Sequence, residues 1–461
     1  MERMRGVDAG YLYMETPTMH MHTLKVAVIE PAESFDEAEF TEQLLARLHR
    51  LPPFNRRVLP VPLQLNHPLW ITDHEVDPAE HVFHHPVPAP GGMAGFETMI
   101  GDVASTPLDR SVPLWELHVC DAFDDGRVGV VAKIHHSVAD GAAANALLAN
   151  VMDVPESTEV IGDESERLDP TPAPRDQIRL ALRDLLGQLA ALPMLLMRTF
   201  KAVVALKRTR RGSSVTVPRP ILDVPRVSFN RALTERRVFA TSSLPLEGIK
   251  EVRRAHDATV NDVVLAVVAG ALRRWLKSRG ELPSISLVAG VPVGTDAPDA
   301  PTRLSGNRVS NLFTTLATDI DDPVERLRTI SETTRESKLV QQTLGPDMLA
   351  DWVQYTPPAP MSAFMRLYSR THAASHHAPP FNVIVSCVKG PPEEVTVSDA
   401  VLRDLFSVGP ILEGIGLNVT AWSYVDRMNF SLLSCPDLIP DLGPLLAELS
   451  PALDELRTTK G

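Results

Sequence analysis

The sequence has 461 residues, of which 44% are hydrophobic and 22% are charged. This composition is typical of a soluble globular protein and excludes disordered, collagen-like and coiled-coil chains. The 45 Lys and Arg residues against 58 Asp and Glu residues give a net charge of −13, which is the wrong sign for a general nucleic-acid binder. At about 150 residues per domain, the length predicts two or three domains.

Cysteine content and the amino terminus predict a cytoplasmic protein. Cys120, Cys387 and Cys435 are far apart and form neither a CxxC pair nor a disulfide framework. The first residues carry charge but no apolar stretch of the kind found in secretory signals.

The first half of the chain alternates between patterns typical of strands and of helices. Residues 23–29 and 127–134 are β-branched runs of strand length. Residues 35–49 have apolar residues at helical spacing, and residues 142–152 form a run of small and apolar residues typical of a helix.

The middle of the chain reads as a connection between two halves of similar size. Residues 154–174 are acidic and rich in Pro, Ser and Thr, and residues 212–226 form a second stretch of this kind. We therefore predict an N-terminal domain over 1–160, a linker with an apolar and basic helix over 161–226, and a C-terminal domain over 227–461.

The linker contains the most apolar segment of the chain, residues 185–197, followed by a basic cluster that ends at Arg211. A membrane span needs about 20 apolar residues, so no transmembrane helix is predicted. Two interpretations stay open. The segment is a helix packed on the protein and followed by a solvated linker, or it is an interfacial segment attracted to anionic lipid headgroups.

The second half shows the same alternation. Residues 259–276 contain no proline and place apolar residues on every face of a helix, which predicts a buried helix. Thr259 is its candidate N-cap. Residues 284–292, 382–388 and 417–424 read as strands. Helices and strands that alternate in both halves predict an α/β fold.

The most specific feature is His135-His136-Ser-Val-Ala-Asp140-Gly141, directly after the predicted strand 127–134. A histidine that leaves a strand into a tight turn can be held rigidly with one ring nitrogen free, as a general base requires. Asp140 is placed to cap the helix that follows, and Gly141 lets the backbone turn.

Two other interpretations of these histidines stay open: a structural pair at a strand end, and a metal site. His20 and His22, with the pairs at 84–85 and 376–377, add further imidazoles. None of these pairs has HExxH spacing, so no metal is predicted. The pairs at 84–85 and 376–377 are predicted to be solvated.

At this point the chain resembles the bacterial wax ester synthase/diacylglycerol acyltransferases, within the wider group of CoA-dependent acyltransferases that includes chloramphenicol acetyltransferase. The resemblance covers nearly the whole chain as an ordered set of segments. These are residues 8–15, 19–22, 107–110 and 113–116, the HHxxxDG motif, Asn261-Asp262, residues 291–293, Gly306-Asn307 and Gly390-Pro391.

The resemblance implies two chloramphenicol acetyltransferase-like domains, each a mixed sheet with helices, joined by a helical linker with the active site at their interface. It implies transfer of a long acyl chain from acyl-CoA to diacylglycerol or a long-chain alcohol, with acyl-CoA as co-substrate and no further cofactor. Lipid substrates without a transmembrane helix imply contact with the inner membrane or lipid droplets from the surface.

The resemblance also implies roles for individual residues. It makes His136 the general base, Asp140 the organiser of the loop, and Asn261 a group that positions or polarises the thioester. The implied catalytic positions are His135, His136, Asp140 and Asn261, and the structural positions at the site are Gly141 and Asp262.

Two segments depart from the family pattern. Residues 294–296 read Gly-Thr-Asp where a Ser and an Arg are more usual, and residues 387–389 read Cys-Val-Lys where an asparagine and a proline are more usual. These departures leave open an enzyme of the same fold with another acceptor or a carrier-bound donor. They also leave open a weakly catalytic lipid-binding or lipid-droplet surface protein.

Overall fold

Two six-stranded sheets form the framework of the protein, seen in a computed structural model that describes residues 1–31, 36–73, 75–153, 168–210, 215, 217–297, 299–345 and 347–459. The strands in chain order are β1 (Glu2–Arg3), β2 (His22–Glu30), β3 (Arg57–Leu59), β4 (Leu69–Ile71), β5 (Val82–His85), β6 (Trp115–Cys120), β7 (Val128–His135), β8 (Val238–Pro245), β9 (Val288–Gly294), β10 (Val309–Thr315), β11 (Val383–Lys389), β12 (Thr396–Val397), β13 (Ala400–Val408), β14 (Leu417–Tyr424) and β15 (Arg427–Ser434).

The helices lie between these strands and cover the sheets. They are α1 (Gly6–Met14), α2 (Glu37–Ala46), α3 (Gly92–Ser105), α4 (Gly141–Val151), α5 (Pro174–Arg210), α6 (Leu246–Ala255), α7 (Val260–Ser278), α8 (Pro323–Leu344), α9 (Met348–Val353), α10 (Pro358–Arg370), α11 (Gly443–Leu446) and α12 (Leu449–Thr458). The α/β fold predicted from the sequence is confirmed.

The first sheet has the strand order β12-β13-β2-β7-β6-β5. Strands β2 and β7 are central and antiparallel, with His22 opposite His135. Because successive side chains of a strand point to opposite faces, Leu24, Val26 and Val28 pack on one side of β2 in a core with α3. The other face carries Lys25 and the residues that alternate with it.

The first sheet contains strands from both of the predicted domains. Strands β12 and β13 come from the segment 227–461, yet β13 pairs with β2 through seven residue pairs that include Phe406 and Val26. The chain therefore returns from its C-terminal half to complete the N-terminal sheet. Local sequence patterns show a strand but not its pairing partner, so this crossover was not predicted.

The second sheet has the order β10-β9-β11-β14-β15-β8, in which β11 is parallel to both β9 and β14. Val383 and Val385 of β11 face the core with helix α7, whereas Ile384 and Ser386 face the opposite way and line a cavity. Helix α7 begins at the predicted N-cap Thr259, whose side chain forms a capping box with Asp262.

The linker helix α5 runs for 37 residues through Pro193 and lies largely exposed on the protein. By length and composition Pro174–Arg208 could cross a membrane, and only 6% of its most apolar window is buried inside the protein. The sequence predicted no such helix, because the apolar segment 185–197 was weighed alone. In the structure the helix continues well beyond that segment on both sides.

Candidate active site

His136 follows the last residue of β7 and lies where the two sheets meet. Its backbone N–H donates to the carbonyl of Met21 at 2.7 Å, which fixes the turn against the start of β2. The ring stacks on Tyr11 with centroids 4.3 Å apart and planes inclined by 12°. The imidazole is thus held on one face by an aromatic ring and through its backbone by the sheet.

Asn307 sets the tautomer of His136. The amide nitrogen Nδ2 of Asn307 donates to Oδ1 of Asp8 at 2.8 Å and to the carbonyl of His136 at 2.7 Å. The amide oxygen Oδ1 therefore faces the imidazole and accepts from Nδ1 of His136 at 3.2 Å. With Nδ1 as the donor, Nε2 is left as the proton acceptor, and among the described residues it has no hydrogen-bond partner.

The local environment keeps His136 in its basic form at neutral pH. Burial, with a smaller contribution from the positive charge of Lys25, lowers the pKa of His136 to about 4, although Asp140 acts to raise it. Burial also raises the pKa of Asp8 to about 6, against the hydrogen bonds from Asn307 that lower it. The imidazole is therefore neutral and ready to accept a proton at pH 7.

Asp140 joins the two halves of the chain and also lines the cavity at His136. One carboxylate oxygen caps α4 by accepting from the backbone N–H groups of Ala142 and Ala143 at 3.1 and 3.0 Å. The other oxygen accepts from the guanidinium of Arg303 and from the backbone N–H of Arg308, the latter at 2.8 Å. Asp140 thus connects the start of α4 to two arginines of the second half.

Arg303 explains one departure from the family pattern. It pairs with Asp140 and also with Asp296, whose Oδ2 lies 2.9 Å from Nη2 of Arg303. The unusual Gly-Thr-Asp segment at 294–296 therefore supplies a second carboxylate to the arginine that holds Asp140. The sequence offered many arginines for this role and no local signal to choose among them.

His135 is turned away from His136. Its Nδ1 lies 2.7 Å from the hydroxyl of Ser137, and its Nε2 lies 3.8 Å from Glu15. Burial acts to raise the pKa of Glu15, but His135 and Arg110 together lower it to about 2. The buried side chains of His135 and Glu15, with the exposed Arg110, support the turn from behind, and His135 does not line the cavity that contains His136.

The cavity at His136, here called the catalytic cavity, has a volume of about 410 Å³ and is lined by residues of both sheets. Lys25 and Ser407 line it from the first sheet, with Nζ of Lys25 donating to Ser407 Oγ at 2.7 Å. Ser386 and Asn418 line it from the second sheet. The structure thus places His136 at the junction of the two halves.

Gly141 lines the catalytic cavity, whereas Asn261 and Asp262 do not. Asn261 lies in the first turn of α7, and Asp262 completes the capping box and accepts from the hydroxyl of Ser331 at 3.2 Å. The Asn-Asp pair therefore begins a core helix of the second half, and the structure does not bring Asn261 to His136.

The second departure, at 387–389, lies beside the site. Cys387 points toward the core of the second sheet, and burial raises the pKa of its thiol to about 11, so it is an inert residue. The backbone carbonyl of Lys389 accepts from Nδ2 of Asn145 on α4 at 3.1 Å. Val388 lines the catalytic cavity beside Gly141.

The remaining histidine pairs form no metal site among the residues that the structure describes. His20 and His22 are buried and bond to the carbonyl of Ala104. The prediction of solvated pairs is wrong for His85, whose Nε2 lies 2.9 Å from Nδ1 of His118. His377 is exposed as predicted and lies 2.6 Å from the hydroxyl of Tyr368.

Sequence reasoning missed several residues of this site. Asp8 and Tyr11 fall within the opening segment 8–15 that resembles the family, and Asn307 falls within a matched Gly-Asn pair, but none of them was assigned a role from the sequence. Lys25 appeared only as a residue within a predicted strand. Its position in the series that alternates along β2 is the signal that could have indicated a cavity-facing charge.

The two-sheet fold, with His136 of an HHxxxDG motif in a cavity lined by both sheets, defines an acyltransferase of the chloramphenicol acetyltransferase-like class. The chain belongs to the wax ester synthase/diacylglycerol acyltransferase family. Its residues 4–264 match the wax ester synthase/diacylglycerol acyltransferase catalytic domain, and residues 305–457 match the C-terminal domain of that family.

Individual relatives agree with this assignment. A Mycobacterium tuberculosis protein provisionally named as a diacylglycerol O-acyltransferase is 37% identical over 100% of this chain and 97% of its own length. A second M. tuberculosis protein with the same provisional name is 34% identical over 99% of this chain and 97% of its own. The wax ester synthase/diacylglycerol acyltransferase of Marinobacter aquaeolei VT8 has a similar structure, with a TM-score of 0.69, 25% identity and coverage of 99% and 98%.

More distant structures share the fold alone. The first condensation domain of the CDA synthetase superposes with a TM-score of 0.57 at 14% identity, over 98% of this chain and 95% of that domain.

Proposed function

We propose that this acyltransferase moves a long-chain acyl group from acyl-CoA to the hydroxyl of diacylglycerol, with a long-chain alcohol as a second acceptor. The observation that carries the proposal is the orientation of His136, whose Nδ1 is held by Asn307 and whose Nε2 is free within a cavity lined by both sheets. The assignment of diacylglycerol follows the names of the M. tuberculosis relatives.

The reaction needs one base and no covalent intermediate. Nε2 of His136 takes the proton of the acceptor hydroxyl as its oxygen attacks the thioester carbonyl, which avoids a high-energy free alkoxide. The tetrahedral intermediate then collapses, the C–S bond breaks, and the imidazolium returns its proton to the CoA thiolate. Asp8 supports this cycle because its carboxylate orients Asn307, which accepts from Nδ1 throughout.

Lys25 takes the role of stabilising the oxyanion in this proposal. It is the lysine that lines the catalytic cavity, and its charge is close enough to His136 to lower the pKa of the imidazole. Burial lowers the pKa of Lys25 to about 8, so the ammonium keeps its charge at neutral pH. A buried cation stabilises a developing negative charge far more than a solvated one does. Asn261, which lies outside the cavity, is given no part in the reaction.

A basic surface suits the phosphates of CoA. A cavity of about 220 Å³ beside the site is lined by five arginines together with Glu2, Asp8 and Asn307. The arginines are Arg3, Arg5, Arg56, Arg303 and Arg308. Four of these arginines also form ion pairs with carboxylates, so in this proposal the CoA phosphates bind mainly through Arg5 and through arginine N–H groups that the carboxylates leave free.

The lipid substrates reach the site from a membrane or lipid-droplet surface in this proposal, on the cytoplasmic side. Helix α5 exposes Leu186 by 67% and Phe200 by 71%, and Phe364 of α10 is exposed by 57%. Exposed apolar side chains of this size are typical of surfaces that contact lipid or another protein. The same surface favours a lipid-binding protein without turnover as the second candidate function.

The experiment that separates these candidates measures free CoA release by the purified full chain. Palmitoyl-CoA is the donor, and diacylglycerol, hexadecanol or no acceptor is added in turn. We expect acceptor-dependent release that is largest with diacylglycerol. Lipid that co-purifies with the protein, together with no release above the acceptor-free rate, would contradict the enzymatic proposal and support lipid binding.

A further inference from the structure

Helix α9 forms part of the wall of the catalytic cavity without being packed into the protein. Leu349, Ala350 and Val353 line the cavity, yet none of the six residues of α9 is buried. Leu349 is 58% exposed although it lines the cavity, so it lies where the cavity opens to solvent. A helix without buried side chains unfolds or moves more readily than the core elements around it.

The two ends of α9 are held differently. Beyond its last residue, the side chain of Gln354 accepts from the backbone N–H of Gly6 at 2.7 Å, and the carbonyl of Gln354 lies 2.9 Å from Nε2 of His67. Before its first residue, the chain leaves α8 through Gly345, whose φ of +92° glycine adopts without strain. A side chain added at Gly345 would meet no atom of the described residues within 4 Å. The end of α9 that carries Leu349 is therefore the end that is free to move.

Helix α5 holds the outer face of α9 through two side-chain contacts, here called the latch. Nη2 of Arg198 lies 3.0 Å from Oδ2 of Asp351, and Nε1 of Trp352 donates to the hydroxyl of Thr199 at 3.0 Å. Oδ2 of Asp351 is buried and has no hydrogen-bond partner among the described residues, so Arg198 holds it by charge alone. Ion pairs whose arginine is largely exposed contribute little, so this contact is readily exchanged for another anion.

A gap separates α5 from α9 around the latch. It has a volume of about 780 Å³ and is lined by Gly187 and Ala191 of α5 and by Ala350 of α9. Ala350 also lines the catalytic cavity, so at this point α9 is a wall one side chain thick. A further contact, from the hydroxyl of Tyr355 to the carbonyl of Gln188 at 2.9 Å, lies at the anchored end. The movable end therefore depends on the latch rather than on close packing against α5.

The face of α5 beside the latch suits an anionic lipid surface. Met197 and Phe200 are neighbours of the latch residues in α5 and are 45% and 71% exposed. Residues 185–210 contain no acidic residue and five basic ones, which are Arg198, Lys201, Lys207, Arg208 and Arg210. The side chain of Arg198 is itself 60% exposed, so a lipid phosphate can reach its guanidinium from solvent.

We propose that α9 is a lid on the catalytic cavity and that an anionic lipid surface releases it. When the apolar face of α5 enters the surface, a headgroup phosphate replaces Asp351 as the partner of Arg198, the latch opens, and Leu349 moves away from the mouth of the cavity. Away from lipid the lid stays closed and excludes water from the site. The proposal rests on the proposed function, since it regulates access to the site of that reaction.

The test measures CoA release with substrates that stay in water, so that vesicles act on the protein and not on the supply of substrate. Hexanoyl-CoA is the donor and dibutyrylglycerol is the acceptor. The vesicles are phosphatidylcholine, with or without phosphatidylglycerol. With the open lid as a minor state of about 10% of molecules, anionic vesicles should raise the wild-type rate about tenfold, and neutral vesicles should raise it much less.

Variants of the latch should be active without vesicles. Asp351→Asn removes an exposed ion pair and should raise the vesicle-free rate about two- to fivefold. Asp351→Asn combined with Thr199→Val removes both contacts and should raise it further, with little remaining response to anionic vesicles. Arg179→Gln, at an exposed arginine in the first half of α5, is the matched control and keeps the wild-type response. A wild-type rate that anionic vesicles leave unchanged, or a double variant that responds as the wild type does, would overturn the proposal.

A spectroscopic arm keeps failure of the lid distinct from failure of the proposed function. Trp352 loses its hydrogen bond to Thr199 when the latch opens, so anionic vesicles should shift its fluorescence emission. Trp352→Phe defines the background from the other tryptophans, and the double variant should show the shifted emission without vesicles. If the wild type releases no CoA from any donor, the reaction fails, and Trp352 still reports on the lid. Emission from Trp352 that anionic vesicles leave unchanged would overturn the lid itself.

Discussion

The two sheets differ in how one covered face of each is filled. Under the second sheet, Leu265, Val267 and Ala269 of α7 are completely buried in a continuous core. On the face of the first sheet that α2 and α4 cover, Ala27 and Ala132 border an apolar cavity of about 160 Å³ and stay partly exposed. The comparison indicates that α7 fills its face of the second sheet, whereas this face of the first sheet leaves an unfilled space next to Lys25.

The largest effect that separates the two regions is on stability. Leu265→Ala removes a fully packed side chain, and we expect it to lower the free energy of unfolding by about 2 to 5 kcal/mol. Leu44→Ala on α2 trims a side chain that already borders the apolar cavity under the first sheet, so its cost stays below about 2 kcal/mol. Urea unfolding of both variants measures the difference, and equal losses would show that the two faces are filled alike.

The next effect concerns the residue that orients the base. Asn307→Leu removes the acceptor for Nδ1 of His136, and we expect kcat to fall on the order of 10- to 100-fold, a part of what a general base contributes. Tyr11→Phe, which keeps the stacked ring, is the matched variant and should retain most activity. Steady-state CoA release measures both, and full activity of the Asn307 variant would remove it from the mechanism.

The pH dependence gives a smaller and more specific effect. Because the pKa of His136 is about 4, its base form is lost only as pH falls toward that value, so the acid limb of kcat/KM that His136 sets should lie well below pH 6.5. Lys25→Met removes a charge that lowers this pKa, and this limb should move upward.

Lys250→Met, at an exposed position, serves as the control for the pH experiment and should leave the profile unchanged. Because the pKa of Asp8 is about 6, Asp8→Asn separates its titration from that of the imidazole, and an acid limb near pH 6.5 that persists in this variant would contradict the buried setting of His136.

The smallest effect on the folded protein is expected on the surface of α5. Leu186→Ser changes a side chain that is 67% exposed, so Tm and the CoA release rate with a detergent-dispersed acceptor should stay the same. Co-sedimentation with anionic vesicles should weaken, since that apolar surface contacts the lipid in the proposed function. Vesicle binding equal to that of the wild type would place the lipid contact elsewhere.

Much of the fold could be predicted from the sequence because local chemistry determines it. The periodic strands at 23–29 and 417–424 and the cap at Thr259 depend on neighbouring residues alone, and the structure confirms them. His136 was identified because a rare motif follows a strand. Asp8 and Arg303 were not, since their partners lie 299 and 163 residues away and no local pattern pairs them.

The central claim is that His136 is the base. The most direct test compares the initial rates of CoA release by the wild type and by His136→Ala, with palmitoyl-CoA as the donor and diacylglycerol as the acceptor. Circular dichroism establishes that both are folded, and His376→Ala, at an exposed histidine, is the control. The account predicts a loss of about 10² to 10⁴-fold in His136→Ala, with a smaller loss in His135→Ala. An unchanged rate in folded His136→Ala would contradict it.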